Sequence, residues 1–111
     1  MRKLAVFSGL VLLVALTLAT PVRSADTIRI GFNIPLTGDA PKVGECSKYA
    51  AEIRIAEING AGGLRVGDKS YRLEFIYIDN ESKAESAIAV ALKLITQDQV
   101  LGIIGPQASK Q

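Results

Sequence analysis

Apolar residues recur along this chain with two different periods. In "TIRIGFNI", Thr27 to Ile34, the apolar Ile28, Ile30 and Phe32 alternate with Arg29 and Gly31, the spacing of a strand, and the loop-forming run "PLTGDAP" follows. From about Gly44 to Asn59 the spacing lengthens, so that Cys46, Tyr49, Ala50, Ile53 and Ala56 share one face of a helix. "NGAGGLRVGDKS" then supplies the asparagine and glycines expected of a helix C-cap and a turn. "YRLEFIYID" returns to alternation, with Leu73, Phe75 and Tyr77 against Arg72, Glu74 and Ile76, and predicts a second strand ending at Asp79. Ser82 stands three residues ahead of Glu85, the spacing of a capping box, and Ala84, Ala87, Ile88, Ala91 and Ile95 continue as one apolar face. That helix is expected to run to about Thr96 or Gln97. The short apolar run "VLGIIG" does not alternate, which fits a strand buried on both faces.

Strand, helix, strand, helix, strand predicts an α/β fold (β-α-β-α-β) with a parallel sheet, flanking helices and right-handed crossovers. Three strands are too few to cover both helices, so the chain is expected to be part of a larger unit. In an open sheet of this kind, ligands collect beyond the carboxyl ends of the strands, where the strand order reverses. If the order is second, first, third, the crevice lies between "NIPLTGDAPKVG" after the first strand and "GPQASKQ" after the third. Thr37 and Ser109 offer hydroxyl donors there, while Gly38, Gly105 and Ala108 allow close approach to the backbone. A helix beginning just after Ser109 would present free N–H groups to a carboxylate or phosphate. Each residue also has a plainer role open to it: Thr37 as a turn former, Ser109 as an ordinary N-cap.

The first two dozen residues change the picture of the other end. Arg2 and Lys3, the apolar run from Leu4 to Ala19 and the small residues up to Ala25 follow the order of a secretory signal. Cleavage after Ser24 is the first choice and Ala25 the next, which divides the chain into a signal peptide at 1–24 and a partial lobe at 25–111. The apolar run of sixteen residues falls short of the span of a transmembrane helix, about 20 residues. Beyond Ser24, ten basic residues face eleven acidic ones, against a net charge of +2 for the whole chain. The basic excess therefore belongs to the leader, and nucleic-acid binding has no compositional support.

Catalytic chemistry finds little to work with. There is no histidine and one cysteine, so His-based catalysis, His-containing zinc sites and an internal disulfide are excluded. Cys46 is expected as a small buried residue of the first helix. Asp79 ends a strand, where a dinucleotide-binding fold keeps an acid, but the first loop lacks G-x-G-x-x-G; a strand-end cap or turn former is the expected role. No cofactor and no enzymatic activity are expected. The charged run "GECSKYAAEIRIAE" is expected to be a solvated helix face.

Four stretches in order carry a resemblance: "IRIGFNIPLTGDAPKVG", "AEINGAGGL", "YIDNESKAESAIAVALKLI" and "VLGIIGPQAS". They resemble the N-terminal part of the branched-chain amino-acid-binding proteins of ABC importers, which have the type I periplasmic binding fold. The resemblance implies a partial N-terminal lobe of a much longer periplasmic receptor, whose two lobes close on a branched-chain amino acid or related small carboxylate and deliver it to an ABC permease in the inner membrane. Ser109 matches the serine that holds the solute's carboxylate in that family, with Gln107 and Ala108 beside it, and Leu36, Thr37 and Val43 occupy the first loop. Some relatives tie the end of the second strand to the third loop by a disulfide; Glu81 and Ala108 stand in that area here, so no such staple is implied. An extracellular sensing domain of a receptor with the same fold is the alternative.

Overall fold

A computed structural model describes residues 26–108; the expected signal peptide at 1–24 and the candidate Ser109 lie outside these residues. The elements run β1 (Thr27–Ile34), α1 (Pro41–Gly60), β2 (Leu64–Val66), β3 (Lys69–Asp79), α2 (Ala84–Thr96) and β4 (Gly102–Ile104). The sheet order is β2-β3-β1-β4. β1 is parallel to β3 from Thr27↔Arg72 to Ile34↔Asp79, and parallel to β4 from Ile30↔Gly102 to Phe32↔Ile104. The three expected strands thus pair as second, first, third, the order on which the expected crevice depends.

β2 is an addition that the expectation of a mere cap and turn missed. Leu64 to Val66 pair antiparallel with Lys69 to Tyr71, and Gly67 and Asp68 join them as a two-residue hairpin connection. β3 therefore starts at Lys69, two residues earlier than the alternation suggested. α1 also starts early, with Pro41 at its first position, where the fixed φ suits a helix and no backbone donor is lost. It ends on Ala61 and Gly62, and Gly63 N–H closes back on the Ile58 carbonyl at 2.9 Å.

Alternate residues of the sheet face different helices. Ile30, Phe32, Ile34, Phe75 and Tyr77 form the core on the α1 side together with Ala51 and Leu36. The Phe32 ring meets Phe75 and Tyr77 at centroid separations of 5.0 and 4.9 Å, tilted as aromatic quadrupoles prefer. On the opposite face Leu94 of α2 packs against the backbone of Gly31, and the side chain of Asn33 donates to the Ala87 carbonyl at 2.8 Å.

Both helix faces differ from the sequence expectation. In α1 the buried positions are Gly44 and Ala51, flanked by half-buried Ser47, Lys48, Ile55 and Ile58, whereas Tyr49 and Ile53 are 56% and 64% exposed and Cys46 is exposed too. The expected core role of Cys46 does not hold. One reason is distance: at its start α1 lies so close to the first loop that a Cβ on Gly44 would collide with the Pro35 carbonyl, which turns the glycine rather than Cys46 inward. In α2 Ala87, Val90 and Leu94 are buried, with Ala91 half-buried, while Ile88 and Ile95 point outward. β4 is not buried on both faces either. Among the described residues it stands at the sheet edge, with Leu101 just before it 77% exposed and Ile104 exposed as well.

Candidate functional site

The carboxyl ends of β1, β3 and β4 lie on one side of the sheet, and the chain leaves them in loops 35–40, 80–83 and 105–108. From β1 the chain crosses through α1 to β3 on one side; from β3 it crosses through α2 to β4 on the other. The loops after β1 and β4 therefore part at a reversal of strand order, the position where open α/β sheets leave a crevice.

The first loop is held from the end of β3. Asp79 Oδ1 accepts the backbone N–H groups of Leu36 at 2.8 Å, Thr37 at 3.1 Å and Glu81 at 2.8 Å, and Oδ2 accepts the Thr37 hydroxyl at 2.6 Å. Burial alone would raise the Asp79 carboxyl, but the bonds from the Thr37 hydroxyl and from the Glu81, Leu36 and Thr37 amides outweigh it and hold the carboxyl below its usual range. Asp79 is thus the turn former and strand-end cap that the sequence led one to expect. The Thr37 hydroxyl proton is committed to Asp79, so this oxygen, expected as a donor, is left to act as an acceptor through its lone pairs.

Ser82 departs from its expected place in a capping box. α2 begins two residues later, Lys83 occupies the N-cap position without a side-chain bond, and the Ser82 hydroxyl turns instead to the first loop. It donates to the Thr37 carbonyl at 2.9 Å and accepts the Ala40 N–H at 3.2 Å. Gly38 completes the contact: at φ 86° it lies against the Glu81 carbonyl, where a Cβ would collide.

Beneath these loops lies a buried amide pair that sequence reasoning did not single out. Asn80 Nδ2 donates to Asn33 Oδ1 at 3.0 Å, and Asn80 Oδ1 accepts the Ser82 N–H at 3.1 Å. With 0% and 1% exposure, Asn80 and Asn33 are as deep as the apolar core. One asparagine in the apolar end of β1 and another just past the end of β3 were the available signal, since a buried polar residue must be hydrogen-bonded.

The loop after β4 reaches α1. The Gln107 side-chain amide donates to the Ser47 hydroxyl, which in turn donates to the Val43 carbonyl at 3.0 Å. Gln107 is exposed and Ala108 half-buried. Val43 sits in the first turn of α1 and is 50% exposed. The structure thus links Gln107, through Ser47, to Val43, and places Thr37 in the separate Asp79 network. A groove of about 290 Å³ lined by Leu36, Pro41, Glu45, Lys48 and Tyr49 runs along the start of α1. Deeper on the same side, the Tyr77 hydroxyl is raised by burial and by the nearby Glu52 charge. Among the described residues no cluster of acidic or cysteine side chains has the makings of a metal site, and no helix is long and apolar enough to cross a membrane.

Comparison with known proteins agrees with this architecture. The sequence pattern of the periplasmic binding protein family matches residues 27–111. The leucine-, isoleucine-, valine-, threonine- and alanine-binding protein of Pseudomonas aeruginosa is 33% identical over 82 residues, covering 74% of this chain and 21% of that protein. A Leu/Ile/Val-binding protein homolog of Brucella suis is 32% identical over 96 residues, or 86% of this chain and 23% of that protein. Among solved structures, the branched-chain amino acid transporter substrate-binding protein LivJ of Streptococcus pneumoniae, in complex with isoleucine, superposes with a TM-score of 0.67 at 33% identity, covering 73% of this chain and 22% of its own. The chain thus spans less than a quarter of the length of the relatives it matches. With the family pattern matched from β1 onward and the fold shared with isoleucine-bound LivJ, this chain belongs to the periplasmic binding protein family, with the type I fold of its branched-chain amino-acid-binding members.

Proposed function

We propose that residues 25–111 form part of the N-terminal lobe of an exported solute-binding protein, a non-enzymatic component of an ABC importer for branched-chain or related amino acids. The observation that carries this reading is the placement of loops 35–40 and 105–108 beside each other at the reversal of strand order. Relatives with the same fold include a protein solved with isoleucine bound. In the proposed site, Ser109 and the backbone of Gln107 and Ala108 hold the solute's carboxylate. Thr37 and Val43 border the cleft from the β1 side. Residues 1–24 direct export to the periplasm and are removed, and an inner-membrane permease receives the cargo.

A cleft wall from one partial lobe gives weak binding, because a solute held on one side keeps much of its surface in water. Isoleucine titrated into the isotope-labelled chain should shift amide resonances at Thr37, Gln107, Ala108 and Ser109, without saturating in the micromolar range. Shifts confined to the opposite end of the sheet, around Thr27 and Gln99, would contradict the assignment of the site.

A further inference from the structure

We propose that Asp79 and Ser82 are positioning residues for the cleft: without touching solute, they set the conformation of the 36–40 loop from the neighbouring strand. The purpose of that positioning rests on the reading of this loop as one wall of the solute site; the geometry stands by itself. The loop is held at both ends. At its start the Asp79 carboxylate takes the amides of Leu36 and Thr37 and the Thr37 hydroxyl. At its end the Ser82 hydroxyl bridges the Thr37 carbonyl and the Ala40 amide. A single turn, 79–82, therefore fixes where the loop leaves β1 and where it enters α1.

That turn is itself strained and anchored. Glu81 and Ser82 stand at φ 55° and 59°, successive left-handed residues that carry a Cβ. Such backbone persists only where its surroundings over-determine it, and it gathers at ligand clamps and switch regions. Here the Glu81 amide bonds to Asp79, the Ser82 amide to the Asn80 side chain, and the Asn80 amide to the Ile34 carbonyl at 3.0 Å. The Asn80 side chain then reaches Asn33 in β1. The strain is held against the most buried part of the sheet, and the loop is held against the strain.

Amide hydrogen exchange on the full chain separates positioning from general stability. Asp79→Ala and Ser82→Ala should speed exchange at Leu36, Thr37 and Ala40 by about tenfold, the effect of losing one hydrogen bond, while amides of central β1 such as Phe32 keep their rates. Val90→Ala, a core truncation in α2 remote from the turn, should do the reverse, speeding exchange at Phe32 without a selective effect on the loop. Asp79→Asn, which keeps an acceptor oxygen, should recover much of the protection at Leu36 that Asp79→Ala loses. Unchanged loop exchange in both alanine variants, or a rise in the same proportion as at Phe32, would overturn the proposal. Isoleucine titration of the unaltered chain is read separately: its failure would count against the solute reading, while the exchange rates decide the positioning claim.

Discussion

A carboxylate that accepts four hydrogen bonds, as Asp79 does from Leu36, Thr37 twice and Glu81, is held in its ionised form. Its folded-state pKa lies below the ordinary value, about 3.9 for an unfolded aspartate, despite the opposing effect of burial. The sign follows: the contribution to stability is fully present above about pH 4, and it is lost as the pH falls through the lower folded-state value. A carboxyl-carbon NMR titration should show Asp79 titrating below the ordinary aspartate value, with protection at Leu36 and Thr37 failing together with it. Thr37→Val removes one of the four donors, so it should move the Asp79 midpoint upward toward the ordinary value. At this scale the sequence was partly legible. Asp79 stood where a strand stops and a turn starts, so its role followed from position. Ser82 and Glu85 had capping-box spacing, yet left-handed backbone at Glu81 and Ser82 aims the serine hydroxyl at the first loop. Local spacing carries no sign of that long-range partner.

Among the elements, the succession of parallel strands and helices followed from the alternation of periods, while the strand order was only one possibility and the inward faces of the helices did not follow. A helix pressed onto a loop carbonyl needs a small residue at the contact, as Gly44 shows against Pro35, so in α1 the stripe with the apolar spacing is not the buried one. In α2 two apolar stripes compete, and the one headed by Ala87, Val90 and Leu94 packs on β1, because Leu94 fits over Gly31. The consequence for stability is measurable by urea unfolding. Leu94→Ala, at a position with 0% exposure, should cost about 2–5 kcal/mol. Ile53→Ser and Ile95→Ser, on the exposed stripes, should stay within roughly 0.5 kcal/mol of the parent. The hairpin at Gly67 and Asp68 escaped notice because three glycines just before it read as a helix cap, and β2 is only three residues long.

For the whole molecule, the sheet brings two loops together at one crevice edge, and the matched relatives are several times longer than this chain. Family membership and fold were legible from four stretches in the right order; the roles of Thr37 and Gln107 were not, since each depends on a partner 42 or 60 residues away. The central claim, that these loops form one side of an amino-acid site, is best tested in a complete receptor. Residues 27–111 would replace the matching stretch of the isoleucine-binding Streptococcus pneumoniae protein, and isoleucine affinity would be followed by calorimetry. The expected result is retained binding that weakens by about tenfold or more in Ser109→Ala, as for loss of one charge-assisted hydrogen bond, with a Thr96→Ala control on the far end of α2 unchanged. Equal affinity in the Ser109→Ala and parent chimeras would contradict the claim.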